Sequence, residues 1–257
     1  MVLYSKIIGK GFPILVFHGL FGNGDNWISF AKEFSSKYQI HLLDIRNHGN
    51  SFYSNKMDYD LISKDILVYL HHYKIDKPIL IGHSMGGRAV MYFSMNYPSI
   101  PKKIIILDIS PKSYPSTYYK NVIQVLKSVD FNCIQKRIEL EEFLNPFIPD
   151  KETRSFFSKC TYRKKNGKLA FRFFLVGIEN NYSCLINKEL KNGIFNGPTL
   201  FLRGEYSNYL LIEDFFFIKK LFTKAKIILI KKAKHWIHID NKIDFYKEVR
   251  NFLNQEI

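Results

Sequence analysis

Six short apolar runs recur along the chain, at 12–17, 39–44, 78–81, 103–107, 198–202 and 226–230. Most are rich in Ile, Leu, Val and Phe, without the polar alternation of a half-solvated strand, and so read as strands buried on both faces. Between them lie stretches with apolar residues at helical spacing, clearest at 26–38, 59–73, 88–97, 212–222 and 243–253. Strands alternating with helices predict an α/β fold, a mostly parallel sheet covered on both sides. From about Pro111 to Asn196 the alternation lapses into a helix-prone stretch rich in aromatics, among them Tyr118, Phe143, Phe147, Phe156, Phe157, Phe171, Phe173 and Phe174. The expected organisation is therefore a core of residues 1–110 and 197–257 with an insertion of 111–196. No internal repeat or low-complexity linker interrupts it.

The run at 78–81 passes directly into Gly82-His83-Ser84-Met85-Gly86-Gly87. A serine with glycine two residues before and two after is the sequence form of a strand-to-helix turn too tight for larger flanking side chains. Such a turn lifts the serine hydroxyl from the carboxyl edge of a parallel sheet, beside a free backbone N–H and a helix N-terminus. The five-residue pattern alone is a modest signal. The strand before it and the apolar helix after it, stopped ahead of Pro98, make Ser84 the candidate nucleophile.

Acyl chemistry at such a serine needs two N–H donors aimed at the developing oxyanion. One is the N–H of Met85. The other comes from a loop after an earlier strand, and Leu20, directly after His18-Gly19, is the candidate. The base is expected late in the chain, on a strand-exit loop. His235 fits that position; His238 competes, although Ile237 and Ile239 flank it in an alternating pattern that suggests a structural role. His41, His71 and His72 read as surface or structural histidines.

With these residues in place the chain resembles the α/β-hydrolase superfamily, and more closely the YbfF-type bacterial acyl esterases and their mitochondrial relatives. The matching segments are 18–22, Asp25-Asn26-Trp27, Asp44-Ile45-Arg46-Asn47-His48-Gly49-Asn50-Ser51, 82–87, Leu107 to Pro111, and His235-Trp236. The resemblance implies a cofactor-free serine hydrolase of carboxylic esters or acyl thioesters, acting on acyl chains; coenzyme A or an acyl carrier protein as partner is suggested only by the basic cluster described below. It also makes 111–196 a helical cap that would close a dry acyl pocket over Ser84, although any single phenylalanine of it is expected to pack the cap against the sheet. In the commonest superfamily pattern the triad acid follows the strand at 198–202, but Ser207 stands there. The alternatives are Glu205, Asp214 and Asp108; Asp108 is favoured by the resemblance, at the end of a strand expected beside the nucleophile strand. The same fold and triad also serve lyases of the menaquinone-biosynthesis type, which use the triad as a base, so that reading stays open. Dehalogenase or epoxide-hydrolase chemistry would need an aspartate at position 84.

Charge changes this picture little. The net charge of +15 comes from 38 Lys and Arg against 23 Asp and Glu, but the lysines are spread along the chain and no nucleic-acid module is recognisable. One cluster stands out: Lys219, Lys220, Lys224, Lys226, Lys231, Lys232 and Lys234 could steer a phosphorylated acyl carrier. Cys133, Cys160 and Cys184 suggest neither a zinc site nor a disulfide framework. No apolar run is long enough to cross a bilayer and no secretory leader is evident, so the expectation is a cytoplasmic protein acting on small acyl esters.

Overall fold

In β2 (Phe12–Phe17) successive side chains part to opposite sides of the sheet: Leu15 and Phe17 enter one buried cluster, Ile14 and Val16 another. The two-residue period of a strand requires this split. It repeats in β4 (Ile79–His83), where Leu80 opposes Ile79 and Ile81, and in β5 (Lys103–Leu107), where Ile104 and Ile106 oppose Ile105 and Leu107. The computed structural model describes residues 1–114, 118–190 and 193–255. With β1 (Ser5–Ile8), β3 (Tyr38–Leu43), β8 (Thr199–Gly204) and β9 (Ala225–Ile230) these strands form a seven-stranded sheet ordered β1-β3-β2-β4-β5-β8-β9. Every pairing is parallel except that of β1 with β3. The six expected strands are all present. β1 is the addition, four residues beginning Ser-Lys that carry too weak a pattern to stand out.

Helices α2 (Tyr59–His72), α3 (Met85–Asn96) and α8 (Asp214–Leu221) supply the first cluster through residues such as Ile62, Val90 and Ile218. On the opposite face α1 (Ile28–Phe34) and α10 (Lys242–Leu253) bury Phe30, Phe34, Phe245 and Val249. The helix expected over 26–38 is shorter. It opens as a 3-10 turn at Gly24–Trp27 and stops at Phe34, because Tyr38 is already paired with Phe12 in the sheet. The alternating stretch around His238 is the short helix α9 (Ile237–Asp240) instead of extended chain.

Between β5 and β8 the chain forms α4 (Tyr118–Lys127), α5 (Arg137–Leu144), α6 (Lys151–Lys159) and α7 (Leu175–Asn187). It also forms an antiparallel hairpin of β6 (Thr161–Arg163) and β7 (Leu169–Phe171) that a purely helical expectation misses. Its turn runs over Lys165 and Asn166, closed by Gly167 N–H on the Lys164 carbonyl at 2.9 Å, and Gly167 takes φ 81°, a conformation glycine adopts without steric cost. The buried faces of these elements, Ile123, Leu144, Phe157 and Ile178 among them, join the cluster built on α2 and α3.

The opposite, amino-terminal edge of the sheet is tied by a buried cation. Lys103 is 3 % exposed and its Nζ donates to the carbonyls of Phe252, Leu253 and Gln255 at 3.1, 3.2 and 2.6 Å. A positive charge at the last turn of α10 meets the negative end of its dipole as well as its unpaired carbonyls. Lys103→Ala is expected to lower unfolding free energy by about 2–3 kcal/mol. The check is a urea midpoint, which a surface lysine such as Lys32→Ala should leave nearly unmoved.

Candidate active site

The turn after β4 is as tight as its glycines imply. A Cβ at Gly82 would lie 2.3 Å from the Gly86 carbonyl oxygen, and one at Gly86 would lie 2.4 Å from that of Phe17. Ser84 takes φ 52° and ψ −118°, a conformation that costs a non-glycine residue about 1–3 kcal/mol and persists only where its surroundings enforce it. Its N–H is held by the Leu107 carbonyl at 3.2 Å. Helix α3 starts at Met85, so its positive dipole end and the Met85 N–H stand beside the hydroxyl.

Ser84 and His235 both line a cavity of about 290 Å³. The imidazole of His235, on the loop after β9, points Nδ1 at Asp108 Oδ2 across 2.7 Å. A carboxylate oxygen only accepts, so Nδ1 carries a proton, and the tautomer this selects for the neutral ring leaves the lone pair on Nε2. Asp108 is fully buried at the end of β5, at φ 50°. It accepts two further hydrogen bonds, from Gly204 N–H at 2.8 Å and from the Ser207 hydroxyl. Tyr209 stacks on the His235 ring at 3.9 Å and 23°, and His83 donates from Nε2 to the His235 carbonyl at 3.0 Å. Among the described residues the Ser84 hydroxyl makes no hydrogen bond. The contact between nucleophile and base commonly tightens only when substrate is bound.

The other candidates are placed elsewhere. Glu205 is exposed and accepts from Lys232 N–H, while Asp214 holds Lys112 Nζ at 2.9 Å and Leu211 N–H. His238 is buried against Trp27, stacked at 4.2 Å, with Nδ1 lacking a partner. His41 is also buried, held by Tyr69 and Gln39, whereas His71 and His72 are exposed.

Leu20 and Met85 line the cavity. Gly19 brings the loop against the elbow, its Cβ position 3.3 Å from that of Ser84. Within this loop Phe21 N–H is consumed by His48 Nε2 at 3.1 Å and Gly22 N–H by the Gly19 carbonyl at 3.0 Å. Among the described residues Leu20 N–H and Met85 N–H are given to no other group.

The run 44–51 explains itself here. Asp44 caps Gly24 and Asn50 N–H, each at 2.7 Å, and a Cβ at Gly49 would fall 2.0 Å from the Asp44 carboxylate. Arg46 pairs with Asp65 through two bonds of 2.6 and 2.7 Å, and Asn47 closes a ring with Ser54.

From the chain between β5 and β8 the cavity is walled by Phe156 and Phe157, singly expected to pack against the sheet, and by Tyr119, Tyr182, Leu185 and Ile186. Phe171 and Phe173 instead stack on each other at 4.7 Å, Phe174 stacks on Tyr53, and Phe147 is exposed. Phe143 packs from a half-buried position, and the Tyr118 side chain lies outside the described residues. Sequence reasoning missed His48, Ser207 as a donor to Asp108, and Tyr209. In the sequence His48 is only a member of the run 44–51, with no role of its own, and only the folded chain brings each of the three to its partner.

The model of the alpha/beta hydrolase fold matches residues 13–242. The chain belongs to the α/β-hydrolase family. Within that family it is 32 % identical to the sn-1-specific diacylglycerol lipase ABHD11 of Danio rerio, over 97 % of this chain and 81 % of that one. It is 27 % identical to Esterase YbfF of Escherichia coli, over 94 % and 93 %. A solved α/β-hydrolase described as a marine microorganism esterase superposes with a TM-score of 0.93 at 33 % identity, covering 98 % of this chain and 99 % of its own. Among the described residues no helix is long and apolar enough to cross a membrane.

In this α/β-hydrolase burial holds three histidines neutral: His18 is pulled down from 6.5 to about 4, and His48 and His238 to about 3. Between those values and 6.5 the unfolded chain binds the extra protons, so their contribution to stability is complete above pH 6.5 and lost as the pH falls. Each is expected to cost up to about 1.4 kcal/mol per pH unit across its window. Urea midpoints should therefore drop between pH 7.5 and about pH 5; a flat profile would contradict neutral burial.

Proposed function

We propose that this α/β-hydrolase is a serine esterase that cleaves small carboxylic esters through an acyl-enzyme. The observation that carries the reading is His235, fixed by Asp108 on one nitrogen and open on the other toward the cavity it shares with Ser84. In the first step His235 Nε2 takes the Ser84 proton as Oγ attacks the carbonyl carbon, and the Leu20 and Met85 N–H groups hold the oxyanion. The intermediate collapses, the C–O bond to the leaving group breaks, and His235 returns the proton to the departing alcohol. Water then attacks the acyl-serine with the same histidine as base, releasing the acid and restoring Ser84. Asp108 holds the tautomer and stabilises the imidazolium. The names of the relatives, an esterase and a lipase among them, support the same class.

The insertion over 111–196 serves as the cap of this enzyme, closing an aromatic acyl pocket over the reacting carbonyl. The reading extends to acyl thioesters. The lysines at 219, 220, 224, 226, 231, 232 and 234 are all exposed, and they would steer a phosphate-bearing leaving group such as coenzyme A, or an acidic carrier protein.

Ser84→Ala is expected to cut turnover of short p-nitrophenyl esters by about 10⁴-fold or more. Acyl-serine seen by mass spectrometry under substrate would separate esterase from a lyase that uses the triad only as a base. Retained turnover in the Ser84→Ala variant overturns the assignment. Asp108→Asn should lose about 10³–10⁴-fold in kcat, with Glu205→Gln and Asp214→Asn within about threefold. An equal loss in either of the latter two would reassign the acid.

A further inference from the structure

His48 sits in the turn of 47–49, buried to 0 % exposure, and makes two hydrogen bonds of opposite sense. Its Nδ1 donates to the Arg46 carbonyl at 2.9 Å and its Nε2 accepts the Phe21 N–H at 3.1 Å. Only the neutral ring does both at once. Phe21 is the one residue of the loop 18–22 held at positive φ, 65°. In that conformation its N–H turns inward to His48, and the preceding N–H, that of Leu20, is left for the cavity. Release of Phe21 would free the Leu20–Phe21 peptide to rotate, and the backbone of Leu20, which carries the donor, would lose its fixed end.

The same turn is bonded to the insertion. Gly49 N–H donates to the Arg172 carbonyl at 2.6 Å, Phe174 N–H donates to the Asn47 carbonyl at 2.8 Å, and His48 forms an antiparallel bridge with Phe173. The rings repeat the connection, with Phe173 lying 5.0 Å from Phe21. One turn thus grips the oxyanion loop on one side and the chain leaving β7 on the other.

We infer that His48 is a positioning residue for the reaction: through Phe21 it sets the direction of the Leu20 N–H and seats that donor against the insertion. The inference rests on the esterase reading, because it assigns Leu20 to the oxyanion.

Two polar replacements separate the nitrogens. In His48→Gln the side-chain amide reaches the place of Nε2 and can accept from Phe21; in His48→Asn it reaches only the place of Nδ1. His48→Asn is expected to lower kcat about 10²-fold, the scale of one misplaced oxyanion donor, with KM within about threefold. His48→Gln should stay within about tenfold of the parent. Affinity for a boronic acid that forms a tetrahedral adduct with Ser84 should fall in step with kcat, while affinity for the product carboxylic acid should not. Equal losses in the two variants, a change confined to KM, or undiminished boronate binding in His48→Asn would each overturn the role. Ser84→Ala run alongside keeps the cases apart. If it is inactive while the Asn and Gln variants match, only His48 loses its assignment; if it is active, the esterase reading itself fails.

Discussion

The backbone leaving β2 runs against the first turn of α3 so closely that a methyl group at Gly86 would stand 2.4 Å from the Phe17 carbonyl oxygen and 2.5 Å from that of His18. No side chain separates the two segments, so neither can shift without the other. The serine turn and the loop bearing Leu20 are held in register by main-chain packing, which is stiffer than any side-chain contact between them could be. That register rests on buried strands: β2 and β4 are hydrogen-bonded neighbours, with Phe17 opposite Gly82. Ser84, Phe21 and Asp108 all sit at positive φ around the junction, conformations tolerated because the apolar sheet beneath them over-determines the chain.

Around this junction the protein uses neutral imidazoles as connectors. His18 donates to Gly19 and accepts from Ile45 N–H, His48 joins Arg46 to Phe21, and His83 donates to the His235 carbonyl. A buried group that must donate at one end and accept at the other has few realisations without formal charge, and imidazole is among the most rigid. Among the described residues only His235 is set against a carboxylate. The proposed division between proton transfer and scaffolding rests on this contrast between one histidine opposed by Asp108 and several enclosed among amides and rings.

The architecture was legible where hydrophobicity alone decides: each of the six expected strands lies in the sheet, and the glycine spacing around Ser84 located the turn. What depends on partners distant in sequence was less visible. β1 exists because β3 offers it an edge, and the hairpin of β6 and β7 replaces helix where Asn166 and Gly167 favour a reversal. The placement of Asp108 opposite His235 had to be borrowed from a resemblance, since 127 residues separate them and nothing local distinguishes this aspartate from Asp214. The cavity walls were not legible for a similar reason. Helical spacing identifies an apolar face but not what that face meets, so Phe156 and Phe171 look alike in sequence and end in different surroundings.

Ser207 stands after β8 where the commonest superfamily pattern places an acid, and it gives its hydroxyl hydrogen to Asp108, the acid proposed here, at the end of the adjacent strand. The two locations therefore compete for one imidazole nitrogen. Installing a carboxyl group at 207 while keeping Asp108 would press two anions together in a dry recess, and one of them would have to take up a proton to coexist. The small hydroxyl at 207 avoids that conflict and leaves the Asp108 carboxylate hydrogen-bonded by Gly204, Ser207 and His235 at once.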